Sequence, residues 1–240
     1  MNGFTSIPFL FPGIPGVRCL FSTARTGTMV PGGGPASKNE AAANRNRFRE
    51  EAGFDGWAEV RQIHGDVLLA AKAIDIPETE GIENADGQYT FERGLGLIVK
   101  TADCQPLLIA REDGLAVAAL HVGWRGNAMN FPGSAVSRLC ELFSCEPRAL
   151  AAIRGPSLGP AASEFVNFRE EWPEEFTPWY EPEAKTVNLW ALTKRQLENA
   201  GMRSDRIYSL DLCTRDMPGW FFSHRRKDTG RHVNAIWMAR

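Results

Sequence analysis

Histidine is scarce in this sequence, with four residues in 240. A site built from two of them commits half the supply. Cysteine is little commoner, and Cys19, Cys104, Cys140, Cys145 and Cys213 include no CxxC pair. An odd count without short regular spacing argues against a disulfide scaffold and a zinc ribbon. It points to a reducing, cytoplasmic setting. An excess of one charge is also lacking. Lys and Arg number 27 against 29 Asp and Glu, a formal net charge of −2, which excludes nucleic-acid binding through bulk charge. No apolar run reaches the roughly 18 residues that span a bilayer, so no membrane partner is expected. The opening MNGFTSIPFLFPGIPG has no basic segment and is broken by Pro8, Pro12 and Pro15. It lacks the form of a signal peptide.

What remains is an ordinary globular composition, 43% hydrophobic and 23% charged. No repeat and no convincing linker is visible, so residues 1–240 are expected to form one domain. The glycine-rich Gly27–Ser37 segment and the irregular Pro173–Pro182 segment are expected loops. Strand-like runs lie at Val17–Thr23, Gly56–Ile63, Asp66–Ala71, Leu95–Thr101, Pro106–Ala110, Leu115–Val122, Ala149–Ile153, Ile207–Leu210 and Ala235–Met238. Glu112-Asp113-Gly114 suits a tight turn. Helices are expected over Asn39–Ala52 and over Ser134–Phe143, where Val136, Leu139, Cys140 and Phe143 keep i, i+3, i+4, i+7 spacing. A further helix is expected from an Asn188 cap to a stop before Gly201, and a short one from a Ser163 cap. Strands and helices without regular βα alternation predict an α+β fold with stacked sheets.

Three motifs put reactive side chains at the ends of apolar strands: Gln62-Ile63-His64-Gly65-Asp66, Thr101-Ala102-Asp103-Cys104-Gln105-Pro106 and His121-Val122-Gly123-Trp124-Arg125-Gly126. His64, Cys104 and His121 together would supply two imidazoles and one thiolate. That set suits zinc with a fourth position open, or copper. A Cys–His nucleophile pair built on Cys104 is the competing chemistry. A single cysteine at a strand end is usually a small buried hydrophobe, and the spacings 64–104–121 match no compact zinc motif. Arginines form a second constellation: Arg25, Arg125, Arg225, Arg226 and Arg231. Guanidinium groups beside glycine-rich backbone suit phosphate or carboxylate. A solvated basic face balancing Glu170, Glu171, Glu174 and Glu175 is the alternative.

QIHG, TADCQP, HVGWRG, the GPSLGP turn and the terminal CTRDMPGWFFSHRRKDTGR resemble, in order, the multicopper polyphenol oxidoreductase, or laccase-domain, family. Its members are also described as purine nucleoside phosphorylases and as peptidoglycan editing factors. The resemblance implies a four-layer α/β/β/α sandwich similar to a cytotoxic-factor deamidase domain. It implies His64, Cys104 and His121 as ligands of Zn2+, with Cu2+ as the alternative. The implied activity is phosphorolysis of adenosine, inosine, guanosine or methylthioadenosine by inorganic phosphate, with adenosine deamination beside it. Copper-dependent phenol oxidation and hydrolytic editing of a peptidoglycan precursor are the rival activities. Four histidines cannot furnish the several imidazole-rich centres of a multicopper oxidase. In this reading Asp103 and Arg125 are candidate catalytic residues, with Asp103 and Asp66 orienting the metal ligands. Arg25, Arg225, Arg226 and Arg231 hold phosphate or substrate. The chain departs from the family pattern at Ala24, which precedes Arg25, and in the short loop that follows. It departs again at Ala161, Ala162 and Ser163, where cysteines are common.

Overall fold

In the computed structural model, which describes residues 5–30, 38–74, 81 and 83–240, the apolar runs become strands covered on both faces. Two six-stranded sheets stack on each other. The first has the order β1 (Ser6–Phe9), β2 (Val17–Ser22), β14 (His232–Met238), β7 (Leu95–Thr101), β3 (Gly56–Glu59), β5 (Ala73–Ile74). The second has the order β13 (Ile207–Ser209), β10 (Leu150–Arg154), β8 (Gln105–Arg111), β9 (Val117–Val122), β6 (Gly87–Thr90), β4 (Leu68–Ala70). Pairing is antiparallel except for β3–β7, β4–β6 and β10–β13. A third, two-stranded sheet joins β11 (Tyr180–Glu181) to β12 (Thr186–Val187).

Successive side chains of a strand point to opposite faces. One set fills the space between the sheets: Val17, Cys19, Phe21, Leu97, Val99 and Ile236 meet Leu108, Ala110, Val117, Ala119 and Ile153. The intervening set is just as apolar. Leu20, Ile98, Val233 and Trp237 pack with Phe48 of helix α1 (Lys38–Ala52). On the opposite outer face, Leu107, Ile109, Ala118 and Leu120 pack with Val136, Leu139 and Phe143 of α3 (Phe131–Phe143) and with Leu197 of α5 (Leu189–Asn199). The layers are therefore helix, sheet, sheet, helix. Strands buried on both faces lose the polar alternation of a solvated sheet, which is why the sequence presents continuous runs. Among the described residues no helix is long and apolar enough to cross a membrane.

Local chemistry sets the boundaries, some as expected and some not. Helix α3 starts at Phe131 because Pro132 fits its first turn, where no amide hydrogen is needed. Asn188 caps α5 through a bond from Ala191 N at 3.0 Å, and Gly201 beyond its end has φ +95°. Ser163 does not cap a helix. It is buried, and α4 (Phe168–Glu171) starts after Asn167 instead. Strands β1 and β6 and the five-residue helix α2 (Trp124–Ala128) have no counterpart in the periodicity reading. Of the expected glycine-rich loop, residues 31–37 lie outside the described residues.

Helix α1 has little apolar surface and is tied down ionically. The buried Arg45 guanidinium pairs with the buried Glu59 carboxylate at 3.4 Å, and its Nε donates to Met29 O at 2.7 Å. Glu59 also accepts from Lys100 Nζ at 2.6 Å and from Trp57 Nε1 at 3.0 Å. Removing one member of a buried pair strands the remaining charge. Glu59→Ala is expected to destabilise the fold by about 3–5 kcal/mol, read from the urea midpoint. A loss within the error of that measurement would show that water reaches the guanidinium.

Candidate metal centre

Strand register brings the three motifs to one end of the second sheet. Pro106 of β8 pairs with His121 of β9, so Cys104, just before β8, lies beside His121. Gly87 of β6 pairs with Leu120. That sets Asp86 against His121, whose backbone N–H donates to Asp86 O at 2.7 Å. Leu68 of β4 pairs with Gly87, and the turn leading into β4 carries His64. The TADC segment is the crossover from β7 in the first sheet to β8 in the second. Its Asp103 takes φ +91°.

The ligand atoms of His64, Cys104 and His121 all lie within 4.8 Å of one another. Cys104 Sγ stands 3.9 Å from His64 Nε2, and the two imidazole rings meet edge to face at 4.8 Å. His121 is buried, Cys104 half-buried and His64 exposed, so the group opens to solvent on the His64 side. A side chain at Gly123 would meet His64 Cδ2 at 3.0 Å and Cys104 Sγ at 3.2 Å. A larger residue at Gly123 would therefore press on two of the three candidate ligands. Gln62 fixes the first motif to β7. Its amide donates to Lys100 O at 2.7 Å and accepts from Lys100 N at 2.8 Å.

Asp86 organises this group, and the sequence reading passed over it. Its Oδ1 accepts from His121 Nδ1 at 2.7 Å and from His64 N at 2.9 Å. Its Oδ2 accepts from Ile63 N at 3.2 Å and Gly65 N at 2.6 Å. One carboxylate therefore orients the His121 ring and closes the turn that holds His64 at φ +61°. With Nδ1–H on Asp86, His121 presents Nε2 as its free ligand atom. Burial works against ionised Asp86, but the bonds from His121 and the two amides hold its carboxyl below the usual range. Burial likewise opposes a charged Cys104. The positive His121, with hydrogen bonds from both imidazoles, nevertheless pulls the thiol down to about 6. His121 moves up in return, against its own burial, because the thiolate and Asp86 stabilise its protonated form. A ready thiolate and two imidazoles form a possible metal-binding site, with donors that suit zinc or copper.

The other expected site residues divide. Asp66 is exposed, and Asp103 faces away from the ligands. The Asp103 carboxylate accepts from Thr214 Oγ1 at 2.6 Å, Ser223 Oγ at 3.0 Å and Arg225 N at 2.7 Å. It pins the C-terminal segment over the crossover, whereas Asp86 does the orienting assigned to it. Arg226 is consumed by its own loop. It donates to the carbonyls of Thr214, Arg215 and Phe221 and to the Asp228 carboxylate. Arg231 Nη1 donates to the carbonyls of Asp228, Thr229 and Gly230. Three arginines keep exposed heads, each lying on an aromatic face: Arg25 on Trp220 at 4.2 Å, Arg125 on Trp124 at 4.4 Å and Arg225 on Phe165 at 5.6 Å, with Arg225 Nη2 also donating to Glu164 O at 2.7 Å. Trp124 and Phe165 themselves touch at 5.8 Å, which places Arg125 and Arg225 on one aromatic wall that begins two residues beyond Val122.

His232 lies under the C-terminal segment as a neutral acceptor. Its Nε2 accepts from Phe222 N at 2.8 Å. Burial pushes it down to about 3, helped by the charges of Arg231 and Arg226 and opposed by a hydrogen bond with Thr101. The unfolded imidazole titrates near 6.5. The folded protein therefore binds fewer protons below that value, and the stability contributed by neutral His232 drains as pH falls toward about 3. The slope reaches about 1.4 kcal/mol per pH unit. Urea midpoints should show the gap between wild type and His232→Gln shrinking on acidification. A gap that does not change with pH would overturn this account.

Residues 35–239 match the family model described as multi-copper polyphenol oxidoreductase laccase. A purine nucleoside phosphorylase of Xylella fastidiosa is 34% identical over 213 residues, covering 81% of this chain and 77% of the relative. Purine nucleoside phosphorylase YfiH of Escherichia coli is 31% identical, covering 76% and 73%. The crystal structure of YlmD from Geobacillus stearothermophilus superposes with a TM-score of 0.82 at 23% identity, over 95% of this chain and 94% of that one. A Neisseria meningitidis protein gives 0.81 at 24% identity, over 99% and 100%. The shared fold and the family match over residues 35–239 agree, and the chain belongs to the multi-copper polyphenol oxidoreductase laccase family.

Proposed function

We propose that residues 1–240 act as one domain and that the chain is a cytoplasmic, zinc-dependent purine nucleoside phosphorylase. The observation that carries this reading is the convergence of His64, Cys104 and His121 within 4.8 Å, open on one side and close in sequence to Arg125. The name of the Xylella and Escherichia relatives supports the reaction class. His64, Cys104 and His121 would hold the zinc. When bound, zinc supplies a Lewis acid beside the substrate. Asp86 keeps His121 in the ligating tautomer. Arg125, Arg225 and Arg25 hold inorganic phosphate. Their stacked guanidiniums are pre-positioned and weakly hydrated, which suits a small anion. A phosphate oxygen bonds to C1′ of the nucleoside as the bond from C1′ to the base nitrogen breaks. The base leaves with the bond's electron pair and takes up a proton, giving free base and ribose 1-phosphate. Asp103 serves by positioning the loop that carries Arg225.

The experiment is incubation of the zinc-loaded chain with inosine, with and without phosphate. Hypoxanthine and ribose 1-phosphate in equal amounts, dependent on phosphate, are expected. Absence of phosphate-dependent base release overturns the proposal. Ammonia release from adenosine reads deamination in the same series. Oxygen uptake with a phenol and added copper reads the oxidase activity that the family description names.

A further inference from the structure

We propose that Cys140 and Cys145 form a reversible redox site, a dithiol that closes to a disulfide by exchange with a low-molecular-weight disulfide. The two cysteines sit where the stop signal of helix α3 forces side chains together. Cys145 N donates to Cys140 O at 3.1 Å, Ser144 N donates to Glu141 O at 3.4 Å, and Ser144 is left-handed at φ 51°. This is a Schellman stop, with its bond from the sixth residue back to the first. In that motif the residue before the last turn and the residue after the cap pack against each other. In most helices this contact is between two hydrophobes. Here both residues are thiols, and each shifts the other's ionisation. Both are half-buried against the outer core, so small reagents reach them.

The step is balanced by its co-reactant. The Cys145 thiolate attacks one sulfur of the small disulfide and expels one small thiolate. Cys140, as thiolate, attacks Cys145 Sγ, forming the Cys140–Cys145 bond and expelling the second. The two protons lost by the cysteines end on the two small thiols. Burial raises the Cys145 thiol, with Cys140 and Arg111 opposing it, whereas burial, Cys145 and Glu146 all push Cys140 the same way, up to about 12. Cys145 is thus the entry sulfur and Cys140 the resolving one. Burial raises both thiols, so exchange is slow at neutral pH and the site responds to sustained oxidation. It is independent of the metal centre. Arg111 ends β8 and donates to Phe143 O at 2.6 Å, while Cys104 precedes the other end of the same strand, about 20 Å away at 3.3 Å per residue.

The test treats the native, full chain with oxidised glutathione at mildly alkaline pH, then acid-quenches, alkylates and digests with trypsin. Cleavage after Arg138 and Arg148 releases LCELFSCEPR, which holds both cysteines. The expected product is this peptide unalkylated and lighter by two hydrogens, returning to the doubly alkylated form after dithiothreitol. In Cys140→Ser a glutathione adduct should accumulate on Cys145, whereas Cys145→Ser should leave Cys140 alkylatable. A doubly alkylated wild-type peptide after oxidation, or a lasting glutathione adduct on it, would overturn the proposal.

Discussion

Cys104→Ser is expected to bind zinc more than 100-fold more weakly than the wild type and to lose phosphorolysis with it. Loss of an orienting partner outside the ligand set typically weakens a metal by 10–100-fold, and a direct ligand contributes more. Cys104 is the one anionic donor of the three. His121 and the hydrogen bonds hold its thiol near the ionised form at neutral pH, so the proton a metal displaces comes from the His121 imidazolium and not from the thiol. A serine hydroxyl stays protonated and offers a weak neutral oxygen. The variant should fold, because Cys104 is half-buried and the crossover is held by Asp103 and Gln105, which keep their partners. Zinc content after dialysis, measured beside far-UV circular dichroism, reads binding apart from activity. A variant that keeps one zinc per chain would remove Cys104 from the ligand set. The rival thiol-nucleophile chemistry gives the opposite response to a chelator. It predicts that removing zinc frees Cys104 and raises activity, whereas the metal reading predicts loss and recovery on adding zinc back.

Asp86→Ala is expected to weaken zinc by about 10–100-fold and to lower stability as well. The substitution removes the acceptor for His121 Nδ1 and for three successive amides, Ile63, His64 and Gly65. An amide left unpaired and buried costs about 1–3 kcal/mol. Here the turn is partly exposed, so water takes over some of these bonds and the stability loss falls below a simple sum. The metal loss does not recover in the same way, because His121 is buried and its tautomer is then unfixed. Asp86→Asn keeps an oxygen acceptor but not the charge, so it should lie between wild type and alanine in zinc affinity. The Asp86 carboxyl is held below its usual range in the fold. Its stabilisation is present above about pH 4 and is lost as pH falls through the lowered value. Equal zinc affinity in the wild type and both variants would show that His121 needs no orienting partner.

Much of the layering was legible from residue order. Leu95–Thr101 forms a strand over the expected range, and the helix capped by Asn188 stops before Gly201. These elements are long and strongly patterned, so local preference and tertiary burial agree. The missed elements are short. Strand β6, Gly87–Thr90, is four residues with two polar side chains buried for pairing and hydrogen bonding. Period alone does not mark such a segment. Helix α2 is five residues and is held through Asn127, which accepts from Gln105 and donates to Thr193 and Gln196. That buried amide network joins three elements distant in sequence.

The site divides in the same way. His64, Cys104 and His121 stood out because histidine and cysteine are few and each lay at a strand end beside glycine. Asp86 had no such mark. It lies in an ordinary Ala-Asp-Gly turn, and its partners come from positions 63–65 and 121. The five arginines looked equivalent in sequence. Folding separated them, since the guanidiniums of Arg226 and Arg231 satisfy carbonyls of a loop that has no sheet to pair with. The sequence by itself pointed to the family and to an α+β class with stacked sheets, and it singled out the three residues of the candidate metal centre, because these rest on residue identity and on local periodicity. Which carboxylate orients His121, and which arginines keep an exposed guanidinium, was decided by the tertiary structure alone. Hydrogen bonds between residues 22 and 120 positions apart, at the ends of the strands, depend on strand register, and register is fixed only when both faces of the two sheets are buried at once.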